Sequence, residues 1–167
     1  MRRFTAILVV VSAALWLGWG EAAERKVVYG LNWVPHGGHV AFYSAVERGI
    51  YKAEGVDVKV VRGYGSADTA KRTADGRVDF GLADTPSVIA VRSRGGMVKL
   101  LGLLADRGLN VIFTLEGSGI RKPKDLSGKT IGEAAAGACI TLFPAFAKVH
   151  GIKNWKHVVM APTAKNP

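Results

Sequence analysis

Four short segments of this 167-residue chain place small or hydrogen-bonding side chains between an apolar run and a helical pattern. At a helix start, such residues would surround unpaired backbone N–H groups and the positive end of the helix dipole, which favour an anionic or acceptor-rich ligand. Loops of this kind meet at the carboxyl edge of a parallel sheet, where open α/β folds bind ligands. The segments are residues 32–39, 63–66, 83–87 and 133–138.

The first segment adds aromatic rings to this polar setting. Trp33 offers an indole that could stack on a flat ligand, and His36 and His39 offer imidazoles that can hydrogen-bond to it. Other interpretations stay open, because a rim aromatic at Trp33 or a helix cap at His39 would show the same residue types. Asp84, two residues before a proline, is likewise typical of a helix N-cap as well as of a ligand contact.

Patterns for other chemistries are missing from the sequence. His150 and His157 do not stand at metal-ligand spacing from any Cys, Asp or Glu, so we predict no metal site. Ser66 and Ser87 have no evident His/Asp companions for nucleophilic catalysis, and the glycines form no phosphate-loop or dinucleotide motif. The lone Cys139 cannot form an intrachain disulfide and is predicted to be a small buried residue. We predict no cofactor.

The net charge raises nucleic acid as a partner, and the distribution of the basic residues argues against it. The chain has 23 Lys and Arg against 13 Asp and Glu, a formal net charge of +10. A charge of this size can indicate nucleic acid or an anionic surface. The basic residues are scattered, however, and no aromatic residues interleave with them as a stacking platform requires. We therefore predict no nucleic-acid partner.

Residues 1–23 have the three-part pattern of a secretory signal. A basic start precedes an uncharged run over residues 4–19, and small residues follow at positions 22 and 23. The run of 16 residues is shorter than the roughly 20 that a membrane-spanning helix needs. We predict cleavage after residue 22 or 23, a periplasmic mature protein and no stable membrane insertion afterwards. The choice between the general and the twin-arginine export route stays open.

Apolar runs alternate with helical patterns through the rest of the chain. The predicted helices cover residues 40–51, 67–75, 87–94 and 138–150, and the predicted strands cover residues 27–31, 56–61, 78–82, 98–104, 111–115, 129–132 and 158–160. Alternation of strand and helix with short glycine-containing connections indicates an α/β protein with a largely parallel sheet.

The same segments resemble a known protein family. Residues 31–39 read L-x-W-x-P-x-x-x-H, and residues 120–132 read I-x-x-P-x-D-L-x-G-K-x-x-G. Both patterns resemble those of NMT1/THI5-like proteins, relatives of the binding proteins for nitrate, sulfonate and taurine importers. The resemblance implies a type II periplasmic-binding fold, in which two α/β lobes close on a small-molecule solute, and an ABC permease with its ATPase as partners.

The resemblance also implies a ligand and a set of contacts. The first segment is similar to that of binders for thiamine-pyrimidine precursors such as hydroxymethylpyrimidine and formylaminopyrimidine; an alkanesulfonate, taurine or nitrate binder is the alternative. Carried over position by position, the first lobe would contribute Asn32, Trp33, His39, Tyr43, Gly65, Ser66, Asp84 and Thr85. The second lobe would contribute Ala138, Cys139 and Thr141.

One branch of the resembled family consists of enzymes. The resemblance implies that a pyrimidine synthase would carry a lysine that binds pyridoxal phosphate at the position of Ala83 and a sacrificial histidine at that of Ser87. A methyl group cannot form a Schiff base and a hydroxyl cannot supply a pyrimidine's nitrogens. We therefore predict that this protein is not an enzyme.

The resemblance divides the chain into three parts. Residues 1–23 would be the signal peptide, residues 24–112 the first lobe, and residues 113–167 the crossover and part of the second lobe. Because members of the family are roughly twice as long, we expect the second lobe to be incomplete. An incomplete lobe would bury too little apolar surface to offset the entropy of ordering its chain, so we expect weak ligand binding or none.

Overall fold

The computed structural model describes residues 24–108 and 110–160, which form a mixed α/β structure with two parallel sheets. The predicted signal peptide lies outside the described residues. The strands are β1 (Arg25–Gly30), β2 (Val56–Val61), β3 (Phe80–Gly81), β4 (Thr130–Ala134) and β5 (Lys156–Met160). The helices are α1 (Val40–Glu47), α2 (Ile50–Ala53), α3 (Ser66–Ala74), α4 (Thr85–Ser93) and α5 (Ala138–His150), with 3-10 turns at Gly37–His39 and Pro123–Leu126.

The first sheet has the strand order β2-β1-β3, with all pairs parallel. The β1–β2 register runs from Arg25 opposite Val56 to Gly30 opposite Val61. β1 is the central strand. The side chains of Val27, within β1, and of Leu31, just beyond its end, are buried. The chain segments that follow β1 and β3 therefore leave the sheet at the same edge.

The second sheet consists of β4 and β5, which are parallel and connected by α5. Its core contains the buried side chains of Leu126, Phe143, Ala147 and Ile152. Trp155 packs edge-on against Phe143, with 4.8 Å between ring centroids, a favourable arrangement for aromatic pairs. Helix α5 also contacts α4 of the first sheet.

Local sequence signals account for several helix ends. Asp84 is the N-cap of α4, where its Oδ1 accepts a hydrogen bond from the Ser87 amide at 3.0 Å. Gly76 follows the end of α3 at φ +70°, the left-handed conformation that glycine adopts without strain. The helix predicted over residues 40–51 is interrupted, because Gly49 at φ +67° separates α1 from α2.

Two predicted strands are wrong. Residues 98–104 and 111–115 form no strand in the structure, although their composition is apolar. A strand exists only where a neighbour accepts and donates its ladder hydrogen bonds, and no described strand lies beside either segment. Apart from Val98, which is buried, the large apolar side chains of these segments are exposed, with Leu101 76% and Phe113 91% accessible.

The predicted fold class is confirmed as α/β with parallel sheets. The proposed division into lobes at residues 112 and 113 stays a prediction. Within the described ranges, no helix combines the length and the apolar character that crossing a bilayer requires.

Candidate functional site

The loops that leave the first sheet are joined by backbone hydrogen bonds. The Asn32 carbonyl accepts from the Gly65 amide at 2.9 Å, and the Trp33 carbonyl accepts from the Gly63 amide at 3.0 Å. Thr69 adds a side-chain bond, since its Oγ1 donates to the Leu31 carbonyl at 2.7 Å. The segment after β1 is thus fixed against the start of α3.

His39 is the most buried imidazole of this edge, with 2% of its surface exposed. Its Nε2 lies 2.9 Å from Oδ1 of Asn32, and because an amide oxygen only accepts, Nε2 carries the hydrogen. Nδ1 is then a lone-pair acceptor, and it is buried without a partner among the described residues. Burial, together with the His36 ring at 4.0 Å, lowers the pKa of His39, so the ring is held neutral.

Trp33 is half-buried beside a small cavity. The cavity measures about 30 Å³ and is lined by Trp33, Val34, Arg62, Gly63 and Tyr64. The Arg62 guanidinium lies 4.4 Å from the centre of the Tyr64 ring, within the range of a cation–π contact. This space suits a water molecule and is too small for a pyrimidine ring in the present conformation.

Three more of the predicted ligand contacts lie on helix α1 and at the start of α3. Tyr43 is half-buried on α1, one helical turn beyond His39. Gly65 and Ser66 are both buried at the start of α3, with Gly65 at φ +130°.

At the start of α4, one carboxylate oxygen of Asp84 accepts a hydrogen bond and the other accepts none from the described residues. Its Oδ1 caps the helix, whereas Oδ2 is buried without a hydrogen-bond partner in the described chain. The Ser87 hydroxyl is buried in the same unpaired state, and Thr85 is exposed. Asp84 Oδ2 and His39 Nδ1 are both acceptors on segments that leave the first sheet at one edge.

The second sheet contributes the start of α5. Ala138, Cys139 and Thr141 are half-buried there, so the lone cysteine is less enclosed than the buried residue that the sequence predicted. Burial raises the pKa of the Cys139 thiol to about 11, with smaller contributions from the carboxylates of Glu133 and Asp84. The thiol is therefore protonated at neutral pH and is a poor nucleophile.

The two sheets meet at Gly65 and Ala136. A Cβ placed on Gly65 would lie 2.0 Å from the Ala136 carbonyl oxygen, so the loops before α3 and α5 are in direct contact. The structure thus brings the start of α3 to the loop that precedes Ala138 and Cys139. Trp33 lies elsewhere, because it lines the small cavity that it shares with Arg62 and Tyr64.

Two residues with clear roles at this edge were not among the predicted contacts. Thr69 connects the loop after β1 to α3, and Glu133, the penultimate residue of β4, accepts a hydrogen bond at Oε1 from the Ala134 amide at 3.0 Å. Thr69 stands three residues after Ser66, so the helical period places it on the same inward face, a signal the sequence did contain. Over residues 24–108 and 110–160, no three His, Cys, Asp or Glu side chains cluster as a metal site would require.

Comparison with known families identifies the relatives of this chain. Residues 36–164 match the protein family described as NMT1/THI5 like. Because this match covers well over half of the sequence, the chain belongs to that family.

Individual relatives carry two kinds of names. The chain is 32% identical over 110 residues to a 4-amino-5-hydroxymethyl-2-methylpyrimidine phosphate synthase of Schizosaccharomyces pombe, covering 66% of this chain and 32% of the relative. A Candida albicans protein of the same name is 30% identical, over 84% of this chain and 39% of its own length. A formylaminopyrimidine-binding protein of Halalkalibacterium halodurans is 31% identical, over 76% of this chain and 38% of the relative. The matched regions thus span about a third of each relative.

Proposed function

We propose that this protein is an exported solute-binding protein for a thiamine-pyrimidine precursor of the hydroxymethylpyrimidine or formylaminopyrimidine type. It would act in the periplasm after loss of residues 1–23 and deliver the solute to an ABC permease with its ATPase. Membership of the family and the formylaminopyrimidine-binding relative support this class of ligand.

The observation that carries the proposal is the pair of unused acceptors at the edge of the first sheet. His39 Nδ1 and Asp84 Oδ2 are buried without partners among the described residues, and an unpaired buried acceptor costs free energy. A ligand that donates N–H groups would satisfy both atoms. An aminopyrimidine has such donors, whereas nitrate and a sulfonate head group offer only acceptors. This difference favours the pyrimidine over nitrate and simple alkanesulfonates, whereas taurine also has an ammonium group that can donate.

The other predicted contacts would then have distinct roles. Trp33 and Tyr43 would stack on the ring, and Asn32 would hold the tautomer of His39. The helix starts at Gly65, Ser66, Thr85 and Ala138 would receive the ligand's acceptors, with Cys139 and Thr141 completing the second side. Because the space at Trp33 is about 30 Å³, stacking would require the Arg62–Tyr64 pair to move.

A pyrimidine synthase is the second candidate, because several relatives carry that name. Two residues weigh against it. Ala83 offers a methyl group that packs against the apolar cluster of Ala70, Val88 and Val98, and Ser87 is buried at the start of α4. Neither side chain can form an imine with pyridoxal phosphate or donate a ring nitrogen.

Isothermal titration calorimetry against hydroxymethylpyrimidine, formylaminopyrimidine, taurine and nitrate tests the proposal. We expect the pyrimidines to bind preferentially and Trp33→Ala to cost about 1–3 kcal/mol of binding free energy, the range for a stacked base. Phe113→Ala, at a 91% exposed aromatic position, is the matched control and should leave binding unchanged.

Two results would reject the proposal. The first is a preference for taurine or nitrate that Trp33→Ala does not change. The second is an imine absorbance with pyridoxal phosphate that accompanies pyrimidine formation. Because the chain spans about a third of its relatives, the same titration is repeated on the Halalkalibacterium halodurans relative with residues 31–39 grafted in. A weak response of the chain alone is then distinguished from a wrong ligand.

A further inference from the structure

The imidazole of His36 is not among the predicted solute contacts, yet it lies directly against one of them. The centres of the His36 and His39 rings are 4.0 Å apart, with 46° between the ring planes. His36 is exposed, whereas only 2% of the surface of His39 is exposed. Because an exposed ring touches a buried one, His36 separates part of the His39 ring from the solvent.

The His36 ring is held over its own turn by one hydrogen bond. His36 is the N-cap of the 3-10 turn Gly37–His39, and its Nδ1 accepts from the Gly38 amide at 3.1 Å. Histidine is not among the usual N-cap residues, which are Ser, Thr, Asp and Asn. A short side chain of that kind could cap the same amide without placing a ring on His39. The capping role alone therefore does not account for an imidazole here.

Gly38 leaves room for this ring. A Cβ placed on Gly38 would lie 2.8 Å from Cε1 and 3.2 Å from Nδ1 of His36, whereas a Cβ on Gly37 would meet nothing within 4 Å. Neither glycine has a positive φ, so alanine fits the backbone at both positions. A methyl group at position 38 should therefore displace the His36 ring, and one at position 37 should leave it in place.

The shielded ring contains an unused acceptor. Nδ1 of His39 is buried without a hydrogen-bond partner among the described residues, a state that costs free energy. On moving away, His36 would give up one hydrogen bond and one ring contact, and its own imidazole would become hydrated. A solute that donates an N–H group to Nδ1 of His39 would offset this loss.

We propose that the His36 side chain is an internal cover of the solute site, which closes the way to Nδ1 of His39 before a solute binds and moves aside when a solute donates to that atom. The identity of the solute rests on the proposed function, but the cover can be tested without any solute. The apparent affinity of a site is reduced by the fraction of molecules in which it is open. Removal of the cover should therefore tighten binding.

Modification of the full-length protein by diethyl pyrocarbonate tests the cover alone. The reagent acylates the unprotonated nitrogen of a neutral imidazole, and mass spectrometry of chains modified once gives the initial rate at each histidine. We expect His39 to react about tenfold faster in His36→Asn, which keeps a capping oxygen but no ring, and in Gly38→Ala, which displaces the ring. Gly37→Ala is the matched control and should react like the wild type.

His157 reports on the fold in the same experiment. Its ring lies in the second sheet, where it contacts Phe143 and Trp155. Because all three substitutions are at exposed positions of the first sheet's loop, the rate at His157 should stay at the wild-type value. The acceleration at His39 is therefore read relative to His157.

Calorimetric titration with hydroxymethylpyrimidine tests the link between the cover and the solute. We expect His36→Asn and Gly38→Ala to bind about tenfold more tightly than the wild type, and Gly37→Ala to bind equally. The same substitutions are made in the Halalkalibacterium halodurans relative with residues 31–39 grafted in, so that a weak response of the chain alone does not hide the effect.

The outcomes separate the cover from the proposed function. Equal modification of His39 in all four proteins would overturn the cover, whichever solute binds. Weaker pyrimidine binding by His36→Asn and Gly38→Ala would also overturn it, because His36 would then be a solute contact. Faster modification of His39 in both variants, with no pyrimidine bound by any protein, would support the cover and reject the proposed function.

Discussion

The loops that leave the first sheet are tied to one another, whereas the loop that leaves β4 in the second sheet is tied mainly to itself. Asn32 and Trp33 accept hydrogen bonds from Gly65 and Gly63, thirty or more residues along the chain. After β4, the Gly137 amide donates to the Ala134 carbonyl within the same loop. Hydrogen bonds between distant segments hold side chains at defined positions. The geometry of a binding site at this edge should therefore depend mainly on the loops of the first sheet.

The two sheets also differ in how much of them is covered. Leu31, at the end of the central strand of the first sheet, is fully buried. In the second sheet, Val158, Val159 and Met160 of β5 are each at least half exposed. Parallel sheets are stable when both faces are covered, so substitutions should cost more in the first sheet than at β5.

The largest effect is expected at the point where the two sheets touch. Gly65→Ala should cost about 4 kcal/mol in the free energy of unfolding, because the new Cβ would lie 2.0 Å from the Ala136 carbonyl at a residue with φ +130°. Gly76→Ala is the control, since Gly76 has φ +70° but open space around it, and it should cost about 1 kcal/mol. Urea unfolding measures both. Equal costs would show that the contact at Ala136 is not tight.

A core substitution compares the sheets directly. Leu31→Ala should cost about 3 kcal/mol, in the range for a fully buried leucine that leaves a cavity. Val159→Ala on β5, where 56% of the residue is exposed, should cost less than about 0.5 kcal/mol. Thermal unfolding of the two variants gives the difference. A larger loss at Val159 would reverse the comparison.

The hydroxyl of Thr69 tests the ties between loops. Thr69→Val should cost about 1–2 kcal/mol, because the Leu31 carbonyl loses a buried hydrogen bond of 2.7 Å. Thr130→Val, at an exposed position on β4, should change stability by less than about 0.5 kcal/mol. Amide hydrogen exchange of residues 31–39 should accelerate only in the first variant. Unchanged exchange there would mean that the backbone bonds alone fix the loop.

The smallest effect concerns pH. The pKa of His39 is lower in the folded protein than its usual value of about 6.5, so the folded state binds fewer protons than the unfolded state in the interval between the two values. The stabilisation that comes from the lowered pKa of His39 is therefore complete above about pH 6.5, and it is lost as the pH falls through the pKa of His39 in the folded protein. Urea unfolding from pH 7.5 to pH 4.5 should show the advantage of the wild type over His39→Gln decreasing with acid. A constant difference would contradict this assignment.

Many of the strands, helices and caps of both sheets could be predicted from the sequence, because they depend on nearby residues. β2 and α5 have the predicted bounds, and Asp84 and Gly76 have the roles that their residue types indicate. Apolar composition was misleading at residues 98–104 and 111–115, since a strand depends on a neighbour that local sequence does not specify.

The candidate site was predictable as a place but not as a geometry. The spacing of residues 31–39 predicted a polar loop at the sheet edge, and the structure shows Asn32 against His39 there. The burial of the free oxygen of Asp84 and the contact of Gly65 with Ala136 depend on residues from different segments. Such pairings are tertiary, and the sequence contained no signal for them.

The position of Trp155 against Phe143 has a practical consequence for spectroscopy. Residues 24–160 contain two tryptophans, Trp33 beside the first sheet and Trp155 packed against the core of the second. Trp33 is half-buried next to a tyrosine and a guanidinium, and Trp155 lies 4.8 Å from the His157 ring, so their emission should differ in wavelength and in quenching. After removal of residues 1–23, each sheet therefore carries its own fluorescent reporter, and Trp33→Phe leaves a signal from the second sheet alone.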